Sequence, residues 1–323
     1  MKALAIDLGG THATCGLVDD RRIVAHEILE TSAKSLGAVL PRIADIFRKI
    51  VQDTGLPLRE ISGVAVGIAA IVDSHASRVL ATNEKYVDAC GIDLPGWSRD
   101  QFSLPLRIEN DARMALLGEV YAGAACGFED VVMMTLGTGI GGAAMIEGKL
   151  LRGRHFQAGC LGGHLPVAFT GRQCTCGAIG CAEAEASGWA LPGIAKDWPG
   201  IATSTLATYA NIGFKELFDG ASAGDRVALD IRDRCLQVWA ADAVGLVHAY
   251  DPEMLVIGGG VMKSADVILP AIELYVHQHS WTPWGKPQVR AAELGNNAAL
   301  LGAVPLLKES ISDCKQEKRE SHQ

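Results

Sequence analysis

Leu4-Ala-Ile-Asp-Leu-Gly-Gly-Thr11 and, about 130 residues later, Met133-Met-Thr-Leu-Gly-Thr-Gly139 follow one plan, an apolar run that ends in a turn of glycine and threonine. Each run has the length and residue types of a strand, and after each turn the chain resumes as a second apolar stretch, over 14–18 in the first copy and 143–147 in the second. Around the first copy the pattern predicts a three-strand meander over 3–7, 14–18 and 23–28, its last two strands joined by the turn Asp19-Asp20-Arg21. Leu36, Val39, Leu40, Ile43, Ile46, Phe47 and Ile50 then recur at spacings of three and four, the signature of an amphipathic helix. Strands are expected over 63–68 and 106–109, the latter feeding a helix that starts near Asp111. Around the second copy come strands over 131–136 and 254–257, a long helix over about 225–250, the turn Gly258-Gly259-Gly260 and a further helix from about Ser264. Strands alternating with helices predict an α/β protein, and the repeated unit predicts a duplicated architecture with a cleft between the copies.

With 323 residues, 49% hydrophobic and 20% charged, the chain has material for two cores and is not a disordered sequence. A formal net charge of −8 argues against a protein that grips nucleic acid by its phosphates. The first ten residues hold no basic segment followed by a long apolar stretch, so no signal peptide is expected. The most apolar uncharged run, Val131 to Ile146, has 16 residues and four glycines, too short and too broken for a membrane span. Nine cysteines, three of them within 174–181, fit a metal site in the cytoplasm better than a disulfide framework.

Residues 137–142 satisfy G-x-G-x-x-G, but a strand follows them where a dinucleotide fold needs a helix. No Walker A loop occurs, nor the HRD and DFG segments of a protein kinase. What remains is a pair of hairpin turns holding a triphosphate between backbone N–H groups, with Gly9, Gly10, Gly137 and Gly139 allowing close approach and Thr11 and Thr138 adding hydroxyls. Asp7 would then stand near the magnesium that bridges the phosphates of ATP. The plainer alternative is two tight hairpin turns and nothing more. His164, Cys174, Cys176 and Cys181 form H-x9-C-x-C-x4-C, a closed tetrahedral set for a structural zinc ion, with Gly177 and Gly180 permitting the sharp turns of a knuckle. The alternatives are separate buried cysteines beside a core histidine, or a zinc hydrolase, which would need an open coordination position.

Together these segments resemble the ROK family of bacterial glucokinase-like sugar kinases and related repressors. The resemblance runs from Asp7 to about Ala303. It rests on Asp7-Leu-Gly-Gly-Thr11, Leu136-Gly-Thr-Gly-Ile-Gly-Gly142, Glu109-Asn110-Asp111-Ala112, Gly163-His164 with Cys174-x-Cys176-Gly-x-x-Gly-Cys181-x-Glu183, and Asp251-Pro252 with Gly258-Gly259-Gly260. It implies the actin-like ATPase (ribonuclease H-like) fold, with two α/β domains flanking a cleft. The smaller would span 1–112, completed by a C-terminal helix over about 304–323, and the larger 113–303, carrying the zinc knuckle. It also implies an ATP-dependent kinase that transfers the γ-phosphoryl group of Mg-ATP to a hydroxyl, O6, of a hexose or hexose derivative, working as a homodimer. Asp111 would be the catalytic base, which suits phosphoryl transfer because the attacking hydroxyl must lose a proton; an aspartate at a helix start is otherwise an N-cap. Asn83, Asn110, His164 and Glu183 would bind the sugar, His164 also zinc, and Gly258, Gly259 and Gly260 would lie on the adenosine side.

Two departures stand out. The family usually has G-E-x-G-H, whereas Gly159-Cys-Leu-Gly-Gly-His164 puts Leu161 in the place of the glutamate that contacts hydroxyls at the anomeric end of the sugar. Glucose is therefore not expected to be the preferred substrate unless another residue takes over that contact. Glu84-Lys-Tyr-Val-Asp-Ala-Cys-Gly-Ile92 also intervenes between Asn83 and Asp93-Leu-Pro-Gly-Trp97, and could bring Glu84, Lys85, Tyr86 or Asp88 to the sugar; otherwise it is a solvated loop. A repressor would need a helix-turn-helix ahead of the first strand, and a strand from residue 3 leaves no room for it. A non-catalytic sugar-binding or regulatory ROK protein is the remaining alternative.

Overall fold

The computed structural model describes residues 1–10, 12–31, 35–82 and 85–309. Thr11, residues 32–34, Asn83, Glu84 and the tail 310–323 fall outside the described residues. The chain divides into two compact units, Met1–Gly127 with Arg152–Ala158 and Asn296–Gln323, and Phe128–Leu151 with Gly159–Gly295. The first unit thus runs past the boundary anticipated at 112.

In the first unit, strands β1 (Lys2–Leu8), β2 (His12–Asp19) and β3 (Arg22–Glu30) form the antiparallel meander. Helix α1 (Leu36–Thr54) follows. Ser35 caps its start by accepting from the Ala38 N–H, and Gly55, at φ 65°, closes its end in the left-handed region. Next come β4 (Ile61–Ile68), a short hairpin of β5 (Ala70–Asp73) and β6 (Arg78–Thr82) not foreseen from the sequence, α2 (Leu94–Phe102), β7 (Leu106–Asn110) and α3 (Asp111–Ala122). The sheet order is β3-β2-β1-β4-β7, with β1, β4 and β7 parallel. In register, Asp7 lies beside Gly67, and Gly67 beside Glu109. The carboxyl ends of the three parallel strands therefore share one edge, where ligands of open α/β sheets characteristically bind.

The second unit repeats this order. β8 (Val131–Leu136), β9 (Ile140–Ile146), β10 (Lys149–Leu150), β11 (Met254–Gly258) and β12 (Gln288–Ala291) are arranged β10-β9-β8-β11-β12. β9 starts at Ile140, three residues before the expected 143, because Ile140 to Gly142 pair directly with β8; the turn contracts to 137–139. Helices α4 (Ala182–Ala186), α5 (Leu191–Lys196), α6 (Phe214–Ser222), α7 (Arg226–Tyr250) and α8 (Ala265–His279) complete the unit. Trp239, fully buried in α7, anchors its core and donates from Nε1 to the Ala186 carbonyl at 2.9 Å.

α9 (Ala298–Leu301) belongs to the first unit again, as do residues 303–309, which are helical; the remainder of the helix anticipated over 304–323 is outside the described residues. α9 lies so close to α3 that a Cβ on Gly118 would come within 2.0 Å of the Ala298 carbonyl oxygen. No described helix is long and apolar enough to cross a membrane.

Candidate active site

The first unit gathers carboxylates at the tips of its parallel strands. Asp7 is the last residue but one of β1, and Asp111 opens α3. Desolvation, reinforced by the charge of Asp111, pushes the Asp7 carboxyl up to about 7. Asp111 is likewise raised by desolvation, against the pull of the Ala112 N–H, Lys85 and the Asn110 amide. An acid raised by the charge of its neighbour resists ionising beside it, an arrangement suited to taking up a proton or meeting a cation. The helix cap is supplied by Asn110, whose Oδ1 accepts from the N–H groups of Ala112 at 3.1 Å and Arg113 at 3.3 Å. Its Nδ2 donates to the Ala70 carbonyl at 3.3 Å and to Asp111 Oδ1 at 3.0 Å. Asp111 is thereby relieved of the principal capping role, although its Oδ1 still accepts from the Ala112 N–H at 2.8 Å.

Beneath this edge sits an ion-pair network that sequence reasoning missed. Glu109 and Arg113 are both fully buried, with Arg113 Nη1 3.3 Å from Glu109 Oε1. Glu109 Oε2 accepts from Arg152 Nε at 2.6 Å, and Arg152 Nη2 reaches Glu309 at 2.7 Å. Arg113 also donates to the carbonyls of Phe156 at 3.2 Å and Ala158 at 2.5 Å, which ties residues 152–158 to this unit. Because Glu109 Oε1 also accepts from the Asn110 N–H at 2.9 Å, the network holds the strand end from which Asp111 follows.

The first turn exposes Gly10, with Gly9 half-buried beside it. Within the segment that departs from the family pattern, Tyr86 is buried and donates from its hydroxyl to the Gly9 carbonyl at 2.9 Å. Asp88 accepts at the start of α1 from Ser35 Oγ at 2.7 Å and from the N–H groups of Leu36 at 2.6 Å and Gly37 at 3.0 Å. The segment is thus an anchored strap, and Tyr86 and Asp88 are occupied in holding it.

In the second unit, Gly137, Thr138, Gly188, Trp189, Phe214 and Gly260 line an open pocket of about 320 Å³. The second turn and the end of the Gly258–Gly260 segment therefore meet one concavity, whose aromatic walls sequence reasoning did not find. The turn is braced from behind, since the N–H groups of Gly188 and Trp189 donate to the carbonyls of Gly137 and Thr138, both at 2.9 Å. Gly259 adopts φ 95°, and a Cβ there would fall 2.2 Å from the Leu136 carbonyl oxygen, so only glycine fits. Glu183 is turned toward the same loop. Its Oε2 accepts from the Ile140 N–H at 2.9 Å and its Oε1 from Trp189 Nε1 at 3.2 Å.

His164, Cys174, Cys176 and Cys181 converge, with one ligand atom from each all within 4.8 Å of one another. His164 Nδ1 lies 3.5 Å from Cys174 Sγ, and the sulfurs of Cys176 and Cys181 are 3.6 Å apart. A tetrahedral Zn–S distance of ~2.3 Å implies a sulfur–sulfur edge of about 3.8 Å, so the set fits a zinc ion with no position left over. Burial pushes the Cys181 thiol up to about 12, the cost that a bound cation would remove. The knuckle is supported by buried Glu185, which accepts from the Arg172 N–H at 2.5 Å and pairs with Arg234. Leu161, 37% exposed, precedes the tight 162–164 turn that ends at His164.

The sequence profile of the ROK family matches residues 3–310. The glucokinase of Thermotoga maritima is 30% identical over 319 residues, covering 96% of this chain and 98% of its own. The glucokinase of Streptomyces coelicolor is 33% identical over 320 residues, covering 95% and 97%. Among solved structures, a ROK family glucokinase from Streptomyces griseus in complex with glucose and AMPPNP superposes with a TM-score of 0.79 at 31% identity, over 96% of this chain and all (100%) of that one.

Proposed function

The chain belongs to the ROK family and has its actin-like ATPase fold, and from that premise we propose that it is an ATP-dependent sugar kinase moving the γ-phosphoryl group of Mg-ATP to O6 of a hexose or hexose derivative. One observation carries the reading: Asp111, with its carboxyl raised by burial and the helix capped chiefly by its neighbour Asn110, stands at the same strand edge as Asp7. A carboxylate with a raised pKa is a stronger base. Asp111 takes the proton of the acceptor hydroxyl as its oxygen bonds to the γ-phosphorus, and the bond to the bridging oxygen breaks to release ADP.

The other roles follow the family pattern. Gly9, Gly10, Thr11, Gly137, Thr138 and Gly139 approach the phosphates. The pocket lined by Trp189, Phe214 and Gly260 receives the adenosine, with Gly258 and Gly259 leading into it from β11. Asp7 faces the magnesium ion that accompanies ATP, which neutralises charge on the phosphates. Asn83, Asn110, His164 and Glu183 meet the sugar. Glu183 reaches it from a carboxylate already fixed on Ile140 and Trp189, so it couples sugar site and phosphate turn. His164, Cys174, Cys176 and Cys181 would hold a zinc ion that pins the loop bearing His164 and takes no part in the chemistry.

Leu161 favours a hexose derivative over glucose, because a half-exposed apolar side chain replaces the expected acceptor of hydroxyl hydrogen bonds. The test is a coupled ADP-release assay over aldohexoses, ketohexoses and N-acetylhexosamines with Mg-ATP. Turnover is expected on at least one derivative at a higher kcat/KM than on glucose. Silence across the panel overturns the kinase reading in favour of a non-catalytic binding protein.

A further inference from the structure

We propose that Lys85, at the start of the strap over residues 85–93, is a further phosphoryl-binding residue, its ammonium meeting the terminal phosphate of the nucleotide at the first glycine turn. The inference rests on the kinase reading of that turn. The Lys85 side chain lies along Gly10: a Cβ built on Gly10 would be 2.1 Å from Nζ, 2.6 Å from Cε and 3.2 Å from Cδ. The absence of a side chain at Gly10 is what admits the ammonium to the turn. The same charge acts on Asp111, lowering its carboxyl against the desolvation that raises it. One cation therefore serves both the turn assigned to the phosphates and the carboxylate assigned to the acceptor hydroxyl, and the phosphoryl group passes between those two.

The lysine is delivered by structure on its C-terminal side. Tyr86 adopts φ 50°, a left-handed conformation that a tyrosine keeps only when its surroundings enforce it. Here they do: the ring is 3% exposed, its hydroxyl donates to the Gly9 carbonyl at 2.9 Å, and its oxygen lies 3.5 Å from Thr31 Oγ1. Two residues on, Asp88 is fastened to Ser35, Leu36 and Gly37. The strap is thus latched to the glycine turn and to the start of α1, and the backbone of Lys85 directly precedes the first latch. In the phosphoryl-transfer transition state negative charge spreads over the equatorial oxygens of the moving group. A preplaced ammonium stabilises that charge without reorganising at the moment of reaction.

The experiment compares wild type, Lys85→Met and Lys85→Arg by calorimetry with Mg-AMPPNP and with Mg-ADP, without sugar, and by ADP release on the best sugar. For Lys85→Met the expected result is an affinity for AMPPNP lowered by about tenfold, an affinity for ADP within about twofold of wild type, and a kcat lowered by ~10². Lys85→Arg, which keeps the charge and the fold of the strap, should recover part of both losses. AMPPNP binding within about twofold of wild type in Lys85→Met overturns the proposal, as does an equal loss for ADP and AMPPNP. A silent sugar panel with the AMPPNP-selective loss present sinks the sugar-kinase reading and upholds the lysine.

Discussion

The sheets of the two units share one strand order, and their matching tips are furnished differently. Two residues before the first turn glycine, β1 carries Asp7 and β8 carries Thr135; each has a glycine beside it in the parallel neighbour, Gly67 in β4 and Gly258 in β11. The backbone frame is thus repeated down to the glycine that makes room at the tip, while the acid is present on one copy only. On the first copy the edge is completed by Asn110, Asp111 and a buried charge network. On the second it is completed by an aromatic-walled pocket and a thiol–imidazole knuckle. Strand order sets where a site can be, and a few side chains at strand ends decide which chemical groups it presents.

The sharpest way to break the comparison is to remove the acid from the acidic tip. Asp111→Ala should lower kcat by about 10²–10⁴ with an unchanged melting temperature, since Asn110 keeps the cap of α3. Thr135→Val at the other tip should leave kcat close to wild type. Full phosphorylating activity in Asp111→Ala would remove the assigned role.

Next in size comes the network beneath the tip. Glu109→Gln leaves the Arg113 guanidinium buried without its charged partner and should cost roughly 3–5 kcal/mol in a denaturant titration. The counterpart in the second unit, Glu185→Gln, should cost less, because Arg234 keeps a third of its side chain exposed (33%) and water can replace the partner. Equal losses would show that burial of the cation is not what separates the two.

A more local effect is expected at the knuckle. Elemental analysis of the purified protein should find about one zinc ion per chain, falling to none in Cys181→Ser. A metal-free wild-type protein would end that assignment.

The last effect is a slope. Asp7 titrates at about 7 in the folded chain and at about 3.9 when unfolded. A carboxyl raised by folding contributes stability that is complete below about pH 4 and lost as pH climbs through about 7. Without nucleotide or metal, Asp7→Asn should match wild type near pH 4 and exceed it near pH 8 in chemical denaturation. Parallel stability curves for the two proteins would show that Asp7 is not held in that raised state.

The parts of the fold legible in the sequence were those whose signal is local. Apolar runs ending at Gly9 and Gly137 gave both hairpins, and the three-and-four spacing from Leu36 to Ile50 gave α1. The β5–β6 hairpin escaped because its strands are short, at four and five residues, and its turn relies on Ser77 at φ 51° in place of a glycine. β9 was started late because Gly141 and Gly142 resemble turn residues, although their pairing with Thr135 and Met134 makes them strand. In the site, the His164–Cys181 cluster was readable because its spacing is itself the chemistry. Asp111 was readable as a helix start, but the presence of Asn110 as the capping residue was a matter of geometry. Trp189 and Phe214 come to the second turn only through tertiary packing, and no spacing links Glu183 to Ile140, 43 residues away.

The return of the chain to its first unit at α9 bears on the order in which the protein can be completed on the ribosome. A Cβ on Gly16 in β2 would lie 3.0 Å from Leu300, and one on Gly63 in β4 would lie 3.0 Å from Leu307. Both leucines are buried, and both are synthesised after every strand of either sheet. A nascent chain that has emerged through Gly127 therefore owns all the strands of its first sheet but not the residues that cover Gly16 and Gly63. The first unit to be begun is the last that can be finished, and its uncovered sheet is the surface a chaperone would meet in the interval.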